Sequence, residues 1–107
     1  MASRSWTITK DEDRLNNVHP GDVLREDFLI GSEIPLVEVA TGTGIDPQQL
    51  ELVVASKLDV DADTDIRLAR YFGMSEGFFL RLQIDYDLEE AHRAHGDELS
   101  RITKRAA

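Results

Sequence analysis

Seven residues in the middle of the chain, Thr41-Gly42-Thr43-Gly44-Ile45-Asp46-Pro47, leave little choice of local structure. The glycines make a short turn, since they accept backbone angles that other residues avoid. Asp46 is a helix N-cap, with a carboxylate for the free N–H groups of a first turn. Pro47 follows at the first helical position, where its missing N–H is no loss. Ile45, between glycine and cap, is an apolar plug. The helix after the turn covers about 47–56, with Leu50, Val53 and Val54 on one face. The helix before it covers about 35–41, with Pro35 near its start and Leu36, Val37, Val39 and Ala40 as apolar surface. Two short helices joined by such a turn form a helix-turn-helix pattern.

Three more helices flank this pair. Pro20 opens one over about 20–29, where Asp22 suits the positive helix start. Its apolar face is Val23, Leu24, Phe28 and Leu29, and Gly31 ends it. Asp61 or Asp63 caps a helix over about 62–72, closed by Gly73. Ser75 caps the last, whose stripe of Phe78, Phe79, Leu82, Tyr86 and Leu88 runs to about His92. Gly96 interrupts, and residues 97–107 read as a short or frayed tail ending in Lys104-Arg105. Residues 1–18 read as a polar arm with a short extended piece at Trp6-Thr7-Ile8-Thr9, where Trp6 tucks onto the domain. The expectation is an all-α chain: an N-terminal arm at 1–18, a five-helix helix-turn-helix domain at 19–93 and a C-terminal tail at 94–107.

Composition narrows the partners. Twelve Lys and Arg face 21 Asp and Glu over 107 residues, a net charge of −9. There is no basic patch at the level of the whole chain, and a basic protein partner is attracted. The absence of cysteine removes disulfides, thiolate metal clusters and a cysteine nucleophile. No apolar run approaches the ~20 residues of a membrane span, and the first residues lack the apolar core of a signal peptide. A soluble, cytoplasmic protein is expected.

Catalytic and metal chemistry find little support. His92 and His95 lie three apart, but zinc needs further ligands, so they read as a surface pair. His19, before Pro20, has a structural or capping role. Asp61, Asp63 and Asp65 alternate as in a calcium loop, yet Ile66 and Phe72 hold the places of its glycine and glutamate. Gly42-Thr43-Gly44 is a turn, since no Gly-Lys-Thr follows and no strand precedes it. No nucleophile elbow or Ser/His/Asp set is present. No enzyme, metal or cofactor is expected.

Three segments carry a family resemblance. His19-Pro20-Gly21-Asp22-Val23-Leu24-Arg25-Glu26-Asp27-Phe28-Leu29 is the first, and Ala62-Asp63-Thr64-Asp65-Ile66-Arg67-Leu68-Ala69-Arg70-Tyr71-Phe72-Gly73 the second. Phe78-Phe79-Leu80-Arg81-Leu82-Gln83-Ile84-Asp85-Tyr86-Asp87-Leu88 is the third. In order and spacing the set resembles the HigA-type antitoxins of bacterial toxin–antitoxin modules, within the lambda-repressor-like helix-turn-helix group. The resemblance implies five helices and a homodimer through the C-terminal helix. It also implies neutralisation of a small ribonuclease toxin and repression of the module's own promoter.

The departures lie in the helix-turn-helix itself. Pro35-Leu36 stand where the family has Ser-Gln, and Gln48, Gln49, Glu51 and Ala55 stand where it has arginines and an asparagine. Ser56-Lys57-Leu58 replace its Gly-Lys-Arg. From Glu33 to Asp61 six acidic residues face one base, Lys57, a net −5 on the segment that would meet phosphate. Duplex affinity rests largely on Lys and Arg neutralising phosphates. Thr43, Gln48, Gln49, Ser56 and Lys57 are the remaining candidate DNA contacts, with glutamine suited to adenine edges and hydroxyls to phosphate. Gln48 and Gln49 read equally well as a solvated helix start. Phe78, Phe79, Leu82 and Tyr86 are the candidate core and dimer seam. Two rival readings stay open: a helix-turn-helix scaffold that has lost DNA and only binds protein, and a stand-alone regulator with no toxin.

Overall fold

The computed structural model describes residues 17–106. The extended piece expected around Trp6, and the arm through residue 16, lie outside the described residues. Helix α1 (Pro20–Val23) runs directly into a π-helical segment, Leu24–Ile30. Then follow α2 (Leu36–Thr43), α3 (Pro47–Val54), α4 (Ala62–Phe72) and α5 (Phe78–Ser100). Among the described residues the fold is all-α, with five α-helices and no strand.

Local chemistry sets most helix ends. His19 caps α1 by accepting the Gly21 N–H on Nδ1 at 2.9 Å, while Asp22 accepts the His19 N–H at 3.1 Å. Asp46 caps α3 and Asp61 caps α4, each taking an N–H at 2.9 Å. Of the two caps expected for α4, Asp61 is therefore the one used. Gly44 and Gly73 close α2 and α4 in the left-handed region, at φ 77° and 72°; α2 thus runs two residues past its expected end, and Gly42 and Thr43 are helical rather than part of the turn.

The π-helical winding has a correlate in the sequence. Its bonds span five residues, as where the Gly31 N–H donates to the Glu26 carbonyl at 3.1 Å. Leu24 and Leu29, five apart, are both buried. An α-helix would turn them further from one another than a π-helix does.

The core gathers a few residues from each element: Leu24, Leu29, Val39, Ala40, Ile45, Leu50, Val53, Val60, Leu68 and Phe79. Phe28 stacks in it against Phe72, Phe78 and Phe79, with ring centroids 4.9 to 6.1 Å apart. The interruption expected at Gly96 is found one residue earlier, as a kink. His95 lies off helical angles at φ −130° and ψ 22°, so α5 is two helical stretches joined across a kink, the second ending at Ser100. The Glu89–Arg93 pair at 2.9 Å lies wholly in the stretch before the kink, while His95 Nδ1 sits 3.2 Å from Glu98 Oε1 across Gly96.

The start of α5 differs from expectation as well. Gly77, at φ 97°, is its N-cap, and Ser75 makes no side-chain cap there. The capping carboxylate comes from α4 instead. Buried Asp65 accepts the N–H groups of Gly77, Phe79 and Leu80 at 2.5, 2.8 and 2.9 Å. The carboxylate thus meets both the free donors and the positive end of the helix dipole.

Candidate nucleic-acid interface

The outer surface of the helix-turn-helix depends on how α2 and α3 are held from behind. Ile45 is buried as the plug, and Leu50 and Val53 anchor α3. At the other end of α3 the backbone of α1 comes very close. A Cβ on Gly21 would lie 1.9 Å from the Val53 carbonyl oxygen.

Asp22 ties the same two elements together. Its Oδ1 accepts the Ser56 hydroxyl at 2.7 Å and the Arg25 guanidinium at 3.0 Å, and Arg25 also donates to the Val54 carbonyl at 2.6 Å. Partial burial disfavours the ionised carboxyl. The bonds from Ser56, Arg25 and the His19 amide outweigh it and hold the group below its ordinary pKa. The fixed end of α3 is thus a charge-assisted network, not only an apolar contact.

This network decides the fate of the expected contacts. Ser56 sits at φ 62° and gives its hydroxyl hydrogen to Asp22. Thr43 is buried; its hydroxyl donates to the Val39 carbonyl at 2.7 Å and accepts the Ile45 N–H at 3.2 Å. Both hydroxyl hydrogens are engaged inside the fold, so neither side chain is a phosphate donor in this geometry. Gln48 is exposed at the start of α3, Gln49 is half-buried beside it, and Lys57 is exposed. Lys57 has no ion pair among the described residues. Around them the surface is acidic and apolar: Glu38, Glu51, Val37 at 67% exposure and Leu52 at 46%.

The residues expected in the core and seam differ in burial. Phe79 is 0% exposed and belongs to the core. Phe78 and Leu82 are half-buried against that core. Tyr86 sets its ring edge-on to His19, with centroids 4.9 Å apart. The apolar side chains that α5 leaves outside are Ile84, Leu88 and Leu99, at 48%, 57% and 36% exposure. Helical periodicity identifies the stripe, but only packing tells which of its edges is covered.

Sequence reasoning missed Asp65 as a cap and Gln83 as a buried bridge. Gln83 accepts the Val60 N–H at 2.8 Å and donates to Asp87 at 3.0 Å. For Asp65 the available signal was a carboxylate within the first turn of α4 that the cap of α4 does not need. Among the described residues no group of three or more His, Asp or Glu is placed to hold a metal. No described helix is long and apolar enough to cross a membrane.

The tight turn, its buried plug and the five helices define a lambda-repressor-like helix-turn-helix protein. No protein-family model matches the chain. It is 30% identical over 87 residues to virulence-associated protein I of Dichelobacter nodosus, covering 81% of each chain. It is similar in structure to the Pseudomonas aeruginosa antitoxin HigA with the higBA promoter, at 30% identity and TM-score 0.76, over 84% of this chain and 98% of that one. A Pseudomonas aeruginosa structure solved in complex with its operator DNA matches at 32% identity and TM-score 0.79, over 84% of this chain and 96% of that one. The chain belongs to the HigA-type antitoxin family. Of the two matched structures, one is of an antitoxin with its promoter and the other is of a protein bound to its operator DNA.

Proposed function

We propose that this protein is the antitoxin of a toxin–antitoxin module. As a homodimer it binds operator DNA upstream of its own gene and represses that promoter. It also binds and neutralises a small, basic ribonuclease toxin. The observation that carries the reading is the match, along nearly the whole of the chain in each, to structures solved with promoter or operator DNA. Gln48 and Gln49 read base edges from the start of α3, and Lys57 touches phosphate. The seam between protomers runs along Ile84 and Leu88 of α5. The excess of acid, net −9, steers a basic toxin to the surface.

The test is fluorescence anisotropy on DNA from upstream of the gene, at about 50 and 200 mM salt, where phosphate-driven binding differs by orders of magnitude. Saturable binding that prefers this DNA to a scrambled sequence is expected. Replacing Gln48 and Gln49 together by alanine weakens it by about 1–3 kcal/mol per lost bidentate contact. Co-expression with the product of the adjacent gene tests the toxin: relief of growth arrest and a stable complex are expected.

A second reading rests on the net −5 of residues 33–61 and on the inward hydroxyls of Thr43 and Ser56. There the helix-turn-helix is a scaffold for protein contacts alone. Absence of DNA binding even at low salt selects it.

A further inference from the structure

Nine of the twelve basic residues lie among the described residues. Arg25, Arg67, Arg70 and Arg93 are held in ion pairs with Asp22 and Glu26, Asp63, Glu76 and Glu89. Arg81 and Lys57 are single cations elsewhere on the surface, without an ion pair among the described residues. The remaining three, Arg101, Lys104 and Arg105, fall within five residues just past α5. All three are exposed, none is in an ion pair among the described residues, and no acidic residue follows Glu98. Among the described residues, three of the five cations outside ion pairs thus lie in one short segment.

Helix capping does not account for that segment. A cation stabilises a helix C-terminus only within about the last turn. Arg101 is the C-cap residue of α5, but Lys104 and Arg105 lie beyond it in non-helical chain. Nor does burial account for it, because Ile102 between them is 73% exposed.

We propose that residues 101–105 are the phosphate anchor of this protein on duplex DNA. They supply the charge that the helix-turn-helix, with Lys57 as its one base, does not. The inference rests on the operator-binding reading above and deepens it. In this division of labour α3 reads bases and the end of α5 neutralises backbone. Each base bound to phosphate releases a counterion, so each adds about 0.9 to the slope of log affinity against log salt.

The experiment compares the full chain with Arg101→Gln/Lys104→Gln/Arg105→Gln, and with a chain ending at Ser100. Helix content by circular dichroism verifies that each is folded. Anisotropy is read on the upstream DNA and on a scrambled duplex, from about 50 to 200 mM salt. The expected result is a slope shallower by up to about 2.7 in both altered chains, on both duplexes. Over that salt range the full chain then loses up to about forty-fold more affinity than the variant. The preference for upstream over scrambled DNA stays the same, because backbone contacts carry no sequence information. An unchanged slope in the presence of normal binding overturns the proposal and leaves the operator reading standing. An unchanged slope with altered sedimentation also overturns it, and assigns the segment to the acidic 33–61 region of a second copy. Failure of the full chain to bind any duplex at about 50 mM salt overturns the operator reading itself, and the anchor with it.

Discussion

Removing the carboxylate of Asp65 tests how α4 and α5 are joined. In Asp65→Ala three N–H groups lose their acceptor at once. Phe79 is fully buried, so its N–H finds no water, which costs about 1–3 kcal/mol. Gly77 and Leu80 are half-buried and regain water in part, adding a few tenths to about 1 kcal/mol between them. The total, about 3 kcal/mol, somewhat exceeds an ordinary lost N-cap at about 0.5–2 kcal/mol. Against a domain stability of about 5–15 kcal/mol the variant still folds at room temperature. Its melting midpoint falls by about 10–20 °C. Asp65→Asn keeps one oxygen for Phe79 and Leu80 but sets an NH2 group against the Gly77 N–H, and costs about half as much. Urea unfolding followed by circular dichroism measures both, with an unchanged m-value. A loss under about 1 kcal/mol in Asp65→Ala, or an equal loss in the two variants, refutes the carboxylate as the joint.

Other perturbations follow from the same contacts. The folded pKa of Asp22 lies below its ordinary value, so the stability it contributes is complete above about pH 4 and is lost as pH falls through the folded value. Urea midpoints measured from about pH 6 to pH 2.5 therefore fall less steeply in Asp22→Asn than in the native chain, and parallel curves contradict the network at Asp22. Gly21→Ala drives a methyl group onto the Val53 carbonyl and destabilises by about 3 kcal/mol in thermal melts. A loss within about 0.5 kcal/mol shows that α1 can retreat from α3. Leu88→Asp changes an exposed position, leaves the melting midpoint nearly unaltered and yields monomers in sedimentation. Dimers that persist move the seam off this edge of α5. Leu82→Asp is not an equivalent probe, because Leu82 packs on the core and its loss unfolds the domain.

Much of the fold was legible because helix ends are local. Proline at N1 of α1 and α3, Asp46 as a cap and Gly73 past the end of α4 act within a few residues and were found where they were expected, Asp61 was one of two caps offered, and the end of α2 fell two residues later than expected. The fate of individual polar side chains was less legible. Thr43 and Ser56 suit phosphate by type, but their hydroxyls bond to partners that the fold supplies: Ser56 to Asp22, 34 positions away, and Thr43 to the carbonyl of Val39. Composition cannot reveal that, because a hydroxyl's role depends on which acceptor comes within reach.

The sequence by itself thus determined the five helices, the tight turn and the family, through backbone preferences and patterns carried in consecutive residues. Only the tertiary structure decided which side of α5 is covered, that Phe79 is core while Ile84 and Leu88 stay outside, and that Asp65 caps a helix begun 13 positions later. Those outcomes depend on distances between elements, and such distances exist only once the elements have packed.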